Sequence, residues 1–148
     1  MNREQVLAEL RALKLQLGQY VVVGGAALAI RGIRDTEDID LVVTPQLFDN
    51  LAARGWRPKA RPSGKPGLKF GQSEAYLDVN CEAFGRSTSW LLEHADHVND
   101  TPLVDLPTLA QLKAGYGRDK DIRNLQFISE RIRFTDAMAS EAREVGRK

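Results

Sequence analysis

The most constraining feature of the chain is a pair of aspartates in an apolar run, Asp38-Ile39-Asp40-Leu41-Val42-Val43. The run predicts a β-strand over 38–43, in which Asp38 and Asp40 share one face and Ile39 and Leu41 the other. Two carboxylates about 4 Å apart repel each other by roughly 4 kcal/mol at an effective dielectric constant near 20. A divalent cation removes this repulsion, and such oxygen ligands suit magnesium. The alternative interpretation of an isolated Asp-x-Asp is an ordinary strand end or turn.

A third acidic residue with apolar neighbours occurs in Leu77-Asp78-Val79, within a strand predicted over 75–82. If this strand neighbours the first, Asp38, Asp40 and Asp78 form a cup of carboxylates for one or two metal ions. Asp78 taken alone is a weaker indication than the Asp38–Asp40 pair.

Two glycines, Gly24-Gly25, separate a predicted strand over 20–23 from a predicted short helix over 26–30. Glycine allows the backbone to approach a phosphate closely, and the amides at a helix N-terminus favour an anion. An ordinary tight turn is the alternative interpretation.

The remaining pattern predicts an α+β protein with a mixed β-sheet, helices packed on it and a short C-terminal helical segment. We expect a single domain over 1–148, with a core over about 3–134 and a terminal helix or tail over 135–148. The predicted helices are 3–17, 45–53, 87–95 and the region from 107 onward, and the other predicted strands are 56–60 and 68–70.

Charge and cysteine content restrict the class of protein. The 148 residues include 21 Lys and Arg and 20 Asp and Glu, a net charge of +1, which argues against attachment to nucleic acid or membrane by bulk charge. Cys81 is the only cysteine, so an intramolecular disulfide is excluded. The N-terminal residues lack the apolar core of a signal peptide, and the apolar runs are too short to span a membrane, so we expect a cytoplasmic protein.

One segment is locally basic: residues 51–73 contain six basic side chains and no acidic ones. Two interpretations stay open, an electropositive lip for a phosphate-rich acceptor such as tRNA and a solvated hairpin. The six residues are Arg54, Arg57, Lys59, Arg61, Lys65 and Lys69.

Val23-Gly24-Gly25, Asp38-Ile39-Asp40-Leu41 and Leu77-Asp78-Val79 together resemble the signature of the DNA polymerase β-like nucleotidyltransferase superfamily. The segment from Val21 to Val43 is most similar to small bacterial members, among them the nucleotidyltransferase toxins of type IV abortive-infection systems. The resemblance resumes over 106–128, where Lys113, Arg118, Lys120 and Asp121 look like a downstream helix of that family.

The resemblance implies a fold and an activity. A nucleotidyltransferase-like domain would transfer a nucleoside monophosphate from a nucleoside triphosphate such as ATP to a hydroxyl group of tRNA or protein. Two Mg²⁺ ions are expected, with Mn²⁺ as a substitute. A cognate antitoxin is a possible further partner.

The resemblance also implies residue roles. Gly24 and Gly25 would hold the triphosphate, Asp38 and Asp40 would bind both metal ions, and Asp78 would bind one and orient or deprotonate the attacking hydroxyl. The candidates for binding the nucleotide's phosphates are Lys113, Arg118, Lys120 and Arg34, where a planar guanidinium suits a phosphate. A solvated helix face is the alternative for the first three, and balance of the acidic 35–38 segment is the alternative for Arg34. Asp121 is interpreted as a structural partner of a nearby Lys or Arg.

Two other functions remain open. One is a catalytically silent module that keeps the nucleotidyltransferase fold for binding, for example as an antitoxin-type partner. The other is an antibiotic nucleotidyltransferase, for which an acidic acceptor pocket would be expected because aminoglycosides are cationic.

Overall fold

The computed structural model describes residues 1–79, 81 and 84–146, with side chains up to residue 139. Its helices and strands alternate irregularly along the chain. The helices are α1 (Arg3–Leu13), α2 (Gly24–Ile30), α3 (Pro45–Ala53), α4 (Thr88–Glu93), α5 (Leu106–Tyr116) and α6 (Asp119–Gly146). The strands are β1 (Tyr20–Val23), β2 (Ile39–Val43), β3 (Arg57–Ala60), β4 (Pro66–Phe70), β5 (Ser73–Tyr76), β6 (Asp96–Val98) and β7 (Thr101–Leu103).

The described residues form two compact units, 1–105 and 106–148. The first contains the sheet and α1 to α4, and the second contains α5 and α6, which pack against each other. The expected single domain over 1–148 stays a prediction.

The strands form one mixed sheet in the order β3-β4-β5-β2-β1-β7-β6. Pairing is parallel between β2 and β5 and between β1 and β7, and antiparallel between the other neighbours. The expected α+β class with a mixed sheet is therefore confirmed.

The core of the first unit lies at the central strands. Val21, Val22 and Leu41 are fully buried there, as are Leu28 and Ile30 of α2, which packs on β1 and β2. Burial of such a side chain stabilises a fold by about 1.5–3 kcal/mol, so the unbroken apolar runs of β1 and β2 fix the centre of the sheet.

Helix α3 begins and ends as its sequence predicts. The Thr44 hydroxyl accepts a hydrogen bond from the Leu47 amide at 3.2 Å, and Pro45 occupies the first helical position, where its missing N–H is not needed.

Other boundaries differ from the predictions. Helix α1 ends at Leu13 rather than residue 17, because Lys14 adopts a left-handed conformation with φ +49°. Strand β5 covers 73–76, so the strand predicted over 75–82 is wrong at 77–79 and 81, whereas 80 and 82 lie outside the described residues. The sequence pattern does not predict β6 and β7. The C-terminal helical segment is not short, because α6 has 28 residues and includes most of the predicted terminal helix or tail. In the part of the chain that the structure describes, no helix combines the length and apolar character that crossing a membrane requires.

Candidate active site

The two glycines after β1 lie against the aspartate pair. Gly24 has φ +64°, in the left-handed region that favours glycine, and a Cβ atom at this position would lie 3.2 Å from Oδ2 of Asp40. A Cβ on Gly25 would lie 2.6 Å from Oγ1 of Thr36. The absence of a side chain at Gly24 therefore lets the turn approach Asp40 closely, and its absence at Gly25 makes room for Thr36.

Asp38 and Asp40 are held differently. Asp40 lies on β2, directly opposite Val23 of β1, and is half-buried. Asp38 is exposed and comes immediately before β2, where its carbonyl oxygen accepts a hydrogen bond from the Thr36 hydroxyl at 2.9 Å. The prediction that the strand includes Asp38 is therefore wrong by one residue, although the charge of Asp38 still acts on Asp40.

The carboxylate that β5 places beside Asp40 belongs to Glu74. The parallel register of β2 and β5 pairs Asp40 with Glu74, and the negative charge of Glu74 acts on Asp40. Sequence reasoning missed Glu74 because its neighbours, Ser73 and Ala75, are less apolar than the neighbours of Asp78. The signal that could have found it is the period of two, which runs from Glu74 to Tyr76 once β5 begins at residue 73.

The environment of Asp40 favours its protonated form. Burial raises its pKa to about 6, and the negative charges of Glu74 and Asp38 add to this effect, whereas Lys59 opposes it. Because pH 7 is above this pKa, Asp40 is then mostly ionised, and the protein compensates its negative charge only in part. An added cation would therefore be attracted to Asp40.

Both oxygens of Glu74 are already engaged. The ammonium group of Lys59 donates to Oε1, and the hydroxyl group of Tyr76 donates to Oε2. Burial opposes ionisation of Glu74, but these two hydrogen bonds outweigh it and keep its pKa below the ordinary value. Burial, together with the hydrogen bond to Glu74, raises the pKa of Tyr76, which stays a hydrogen-bond donor at neutral pH.

Asp78 lies beyond the end of β5, and the expectation that it occupies a strand is wrong. Its Oδ1 lies 3.3 Å from Nη1 of Arg61, and its Oδ2 lies 3.1 Å from Nζ of Lys65. The Arg61 guanidinium also lies 4.2 Å from the centre of the Tyr76 ring, in cation–π geometry. Asp78 thus pairs with two cations of the basic segment 51–73. Its role as a metal ligand stays a prediction.

The basic segment 51–73 is balanced by acidic residues that come after it in the chain. Lys59 and Lys69 face Glu74, and Arg61 and Lys65 face Asp78. Arg54 instead donates to the carbonyl oxygens of Leu13 and Lys14. Four of the six cations thus share two carboxylates, which offsets the local positive charge only in part, and the tRNA lip stays a prediction.

The second unit places three of its predicted residues together. Asp121 is fully buried, with Nζ of Lys113 at 3.2 Å and Nε of Arg118 at 2.6 Å from its oxygens. Burial lowers the pKa of Lys113, although Asp121 opposes this. The prediction that Asp121 partners a nearby Lys or Arg is confirmed. Lys120 is exposed, and the phosphate contacts expected of these cations stay predictions.

Arg34 lies on the exposed segment between α2 and β2, four residues before Asp38. Both interpretations of this side chain, phosphate binding and balance of the acidic segment, stay predictions.

The carboxylates of Asp38, Asp40 and Glu74 are hard oxygen donors of the kind that Mg²⁺ prefers. Among the described residues, however, no group of three His, Cys, Asp or Glu side chains is arranged to hold a metal ion as it stands. The chemistry of the Asp38 and Asp40 carboxylates suits a divalent ion, and the expected pair of ions stays a prediction.

Comparison with known proteins gives no assignment: no protein-family model matches the chain, and no curated protein matches its sequence. The resemblance to the nucleotidyltransferase superfamily therefore stays a prediction, and the function is inferred from the geometry around Asp40.

Proposed function

We propose that the protein is a metal-dependent nucleotidyltransferase that acts in the cytoplasm. It transfers a nucleoside monophosphate from a nucleoside triphosphate to a hydroxyl acceptor, and pyrophosphate leaves. The observation that supports this most directly is the close approach of Gly24 to Asp40, with Glu74 beside Asp40 on the next strand.

The proposed chemistry needs charge neutralisation and alignment more than covalent catalysis, because phosphoryl transfer proceeds by in-line displacement. Asp38 and Asp40 would hold Mg²⁺, and the bound ion would neutralise charge on the phosphate oxygens. The missing side chain at Gly24 brings the backbone of this turn close to Asp40, and glycine lets a backbone approach a phosphate closely. Glu74 is the carboxylate that β5 places beside Asp40, and metal binding by Asp78 stays a prediction.

The acceptor in this proposal is a hydroxyl group of RNA or protein. Four of the six cations of the basic segment 51–73 pair with Glu74 or Asp78. Charge attraction therefore favours RNA less strongly than the sequence of this segment indicates. The two acceptors are distinguished by which macromolecule gains the label from the nucleotide.

The test is to incubate the full chain with Mg²⁺, each α-labelled nucleoside triphosphate in turn, and a mixture of tRNA and cell extract. We expect one nucleotide to label one class of acceptor, and Asp38→Asn to abolish the labelling, because transfer requires the metal ion. Asp49→Asn, which changes an exposed aspartate on α3, is the matched control and should retain full labelling. Equal labelling by the wild-type chain and Asp38→Asn would contradict the metal role.

A second candidate function, a silent nucleotidyltransferase-fold binding module, is favoured by one observation. Lys59 already supplies a positive charge to Glu74 and opposes the rise in the pKa of Asp40, so part of the carboxylate charge is neutralised without a metal ion. Binding of nucleoside triphosphate by the wild-type chain without labelling of any acceptor would support this module instead.

A further inference from the structure

Lys59 of β3 reaches Glu74 of β5 over Gly67 of β4, a position without a side chain. In the register of β3, β4 and β5, Lys59 pairs with Gly67, and Gly67 pairs with Tyr76. A Cβ on Gly67 would lie 2.7 Å from Cε1 of Tyr76 and 3.3 Å from the carbonyl oxygen of Lys59. The missing side chain at Gly67 thus makes room for Tyr76 beside Lys59, on the face of the sheet that also carries Asp40 and Glu74.

The ammonium group of Lys59 acts on both carboxylates. It donates to Oε1 of Glu74, and its charge also acts on Asp40, which the register of β2 and β5 places beside Glu74. The side chain of Glu74 is 10% exposed, whereas that of Lys59 is 38% exposed. The positive charge therefore comes from a partly exposed side chain and acts on the buried Glu74 and the half-buried Asp40.

The other oxygen of Glu74, Oε2, accepts a hydrogen bond from the hydroxyl group of Tyr76. A metal ion could bind Glu74 only by displacing either the ammonium group of Lys59 or the hydroxyl group of Tyr76. Asp38 has no such constraint from Lys59, because it lies before β2 and is exposed.

We propose that the Lys59 ammonium group occupies the place beside Asp40 and Glu74 that a second divalent cation would take. The site then takes a single divalent ion, through Asp38 and Asp40. This rests on the proposed function, and it replaces the expectation of two metal ions for this chain.

The experiment counts Mn²⁺ ions bound to the full chain by the electron paramagnetic resonance signal of free Mn²⁺, with Mn²⁺ as the only added ligand. We expect one ion per wild-type chain and two per Lys59→Met chain, because removal of the ammonium group opens the gap between Asp40 and Glu74. Lys69→Met is the matched control: its ammonium group is 3.9 Å from the same Oε1, half exposed, and its loss should leave the count at one.

Two further variants keep the test decisive if Lys59→Met does not fold. Lys59→Arg retains the positive charge and should bind one ion. Glu74→Gln should also bind one ion, because Glu74 is not a metal ligand in the wild-type chain under this proposal.

The outcomes separate the two proposals. Two ions on the wild-type chain, or no gain in Lys59→Met, would overturn the role of Lys59 and leave the proposed function standing. No ion on the wild-type chain and one on Lys59→Met would support the role of Lys59 but contradict metal-dependent transfer. No ion on any chain would contradict both proposals.

Discussion

At Asp40, burial and two neighbouring carboxylates all favour the uncharged form, and only Lys59 opposes them. A carboxyl group in this position reduces the stability of the folded chain when it ionises. Its retention on a central strand is consistent with a role in binding a cation rather than in holding the sheet together.

The pH dependence of stability follows from this shift. The pKa of Asp40 is about 6 in the folded chain against an ordinary value of 3.8, so the folded state binds the proton more tightly than the unfolded state. This contribution to stability is present below about pH 4 and is lost as the pH rises through about 6, a change of about 3 kcal/mol. We expect Asp40→Asn, measured without metal by urea unfolding, to gain stability over the wild-type chain as the pH rises from 4 to 7.

The control for this prediction is Asp49→Asn, whose difference from the wild-type chain should not vary with pH in the same way. A constant difference between Asp40→Asn and the wild-type chain over this interval would contradict the raised pKa of Asp40.

Strand β4 depends on the absence of a side chain at Gly67. Gly67→Ala would place a methyl group against the Tyr76 ring and the Lys59 carbonyl oxygen, so we expect a loss of about 1–3 kcal/mol in unfolding free energy. Lys69→Ala, on the same strand with an exposed side chain, should change stability by much less. Equal unfolding free energies for Gly67→Ala and the wild-type chain would show that Tyr76 can move without cost.

The sequence predicts those elements whose pattern is locally complete. Strand β1 and helix α3 match their predicted bounds, because Tyr20–Val23 is a continuous apolar run and α3 has both its cap and its Pro45. Strands β6 and β7 have three residues each, and Pro102 lies within β7, so local propensity does not indicate them. They form because pairing with β1 and with each other satisfies their backbone groups.

The candidate site could be predicted only in part, for the same reason. Gly24, Gly25, Asp38 and Asp40 are close in sequence, and the structure places Gly24 against Asp40, on which the charge of Asp38 also acts. Glu74 joins them through the register of β2 and β5, which no local pattern reveals. The preference for Asp78 followed from its apolar neighbours, but β5 ends before it.

On the scale of the whole molecule, the second unit has its own buried charge cluster. Asp121 is 0% exposed and contacts both Lys113 and Arg118. Removal of a buried partner leaves uncompensated charge, which costs about 3–5 kcal/mol. We therefore expect Asp121→Ala to destabilise α5 and α6, seen as faster amide hydrogen exchange in 106–139.

Asp119→Ala is the matched control, because Asp119 lies in the same first turn of α6 but is exposed. Similar exchange rates in the Asp121→Ala and Asp119→Ala chains would mean that the cluster contributes little to the helical unit.

The parallel pairing of β2 with β5 also has a consequence during translation. Strand β2 can pair with β1 as soon as both have left the ribosome, but its other edge stays open until residues 73–76 emerge. Open strand edges are templates for aggregation, so a pause in synthesis between β2 and β5 would expose an aggregation-prone intermediate. Slow codons in that interval would therefore reduce the yield of intact protein more than slow codons placed after β5.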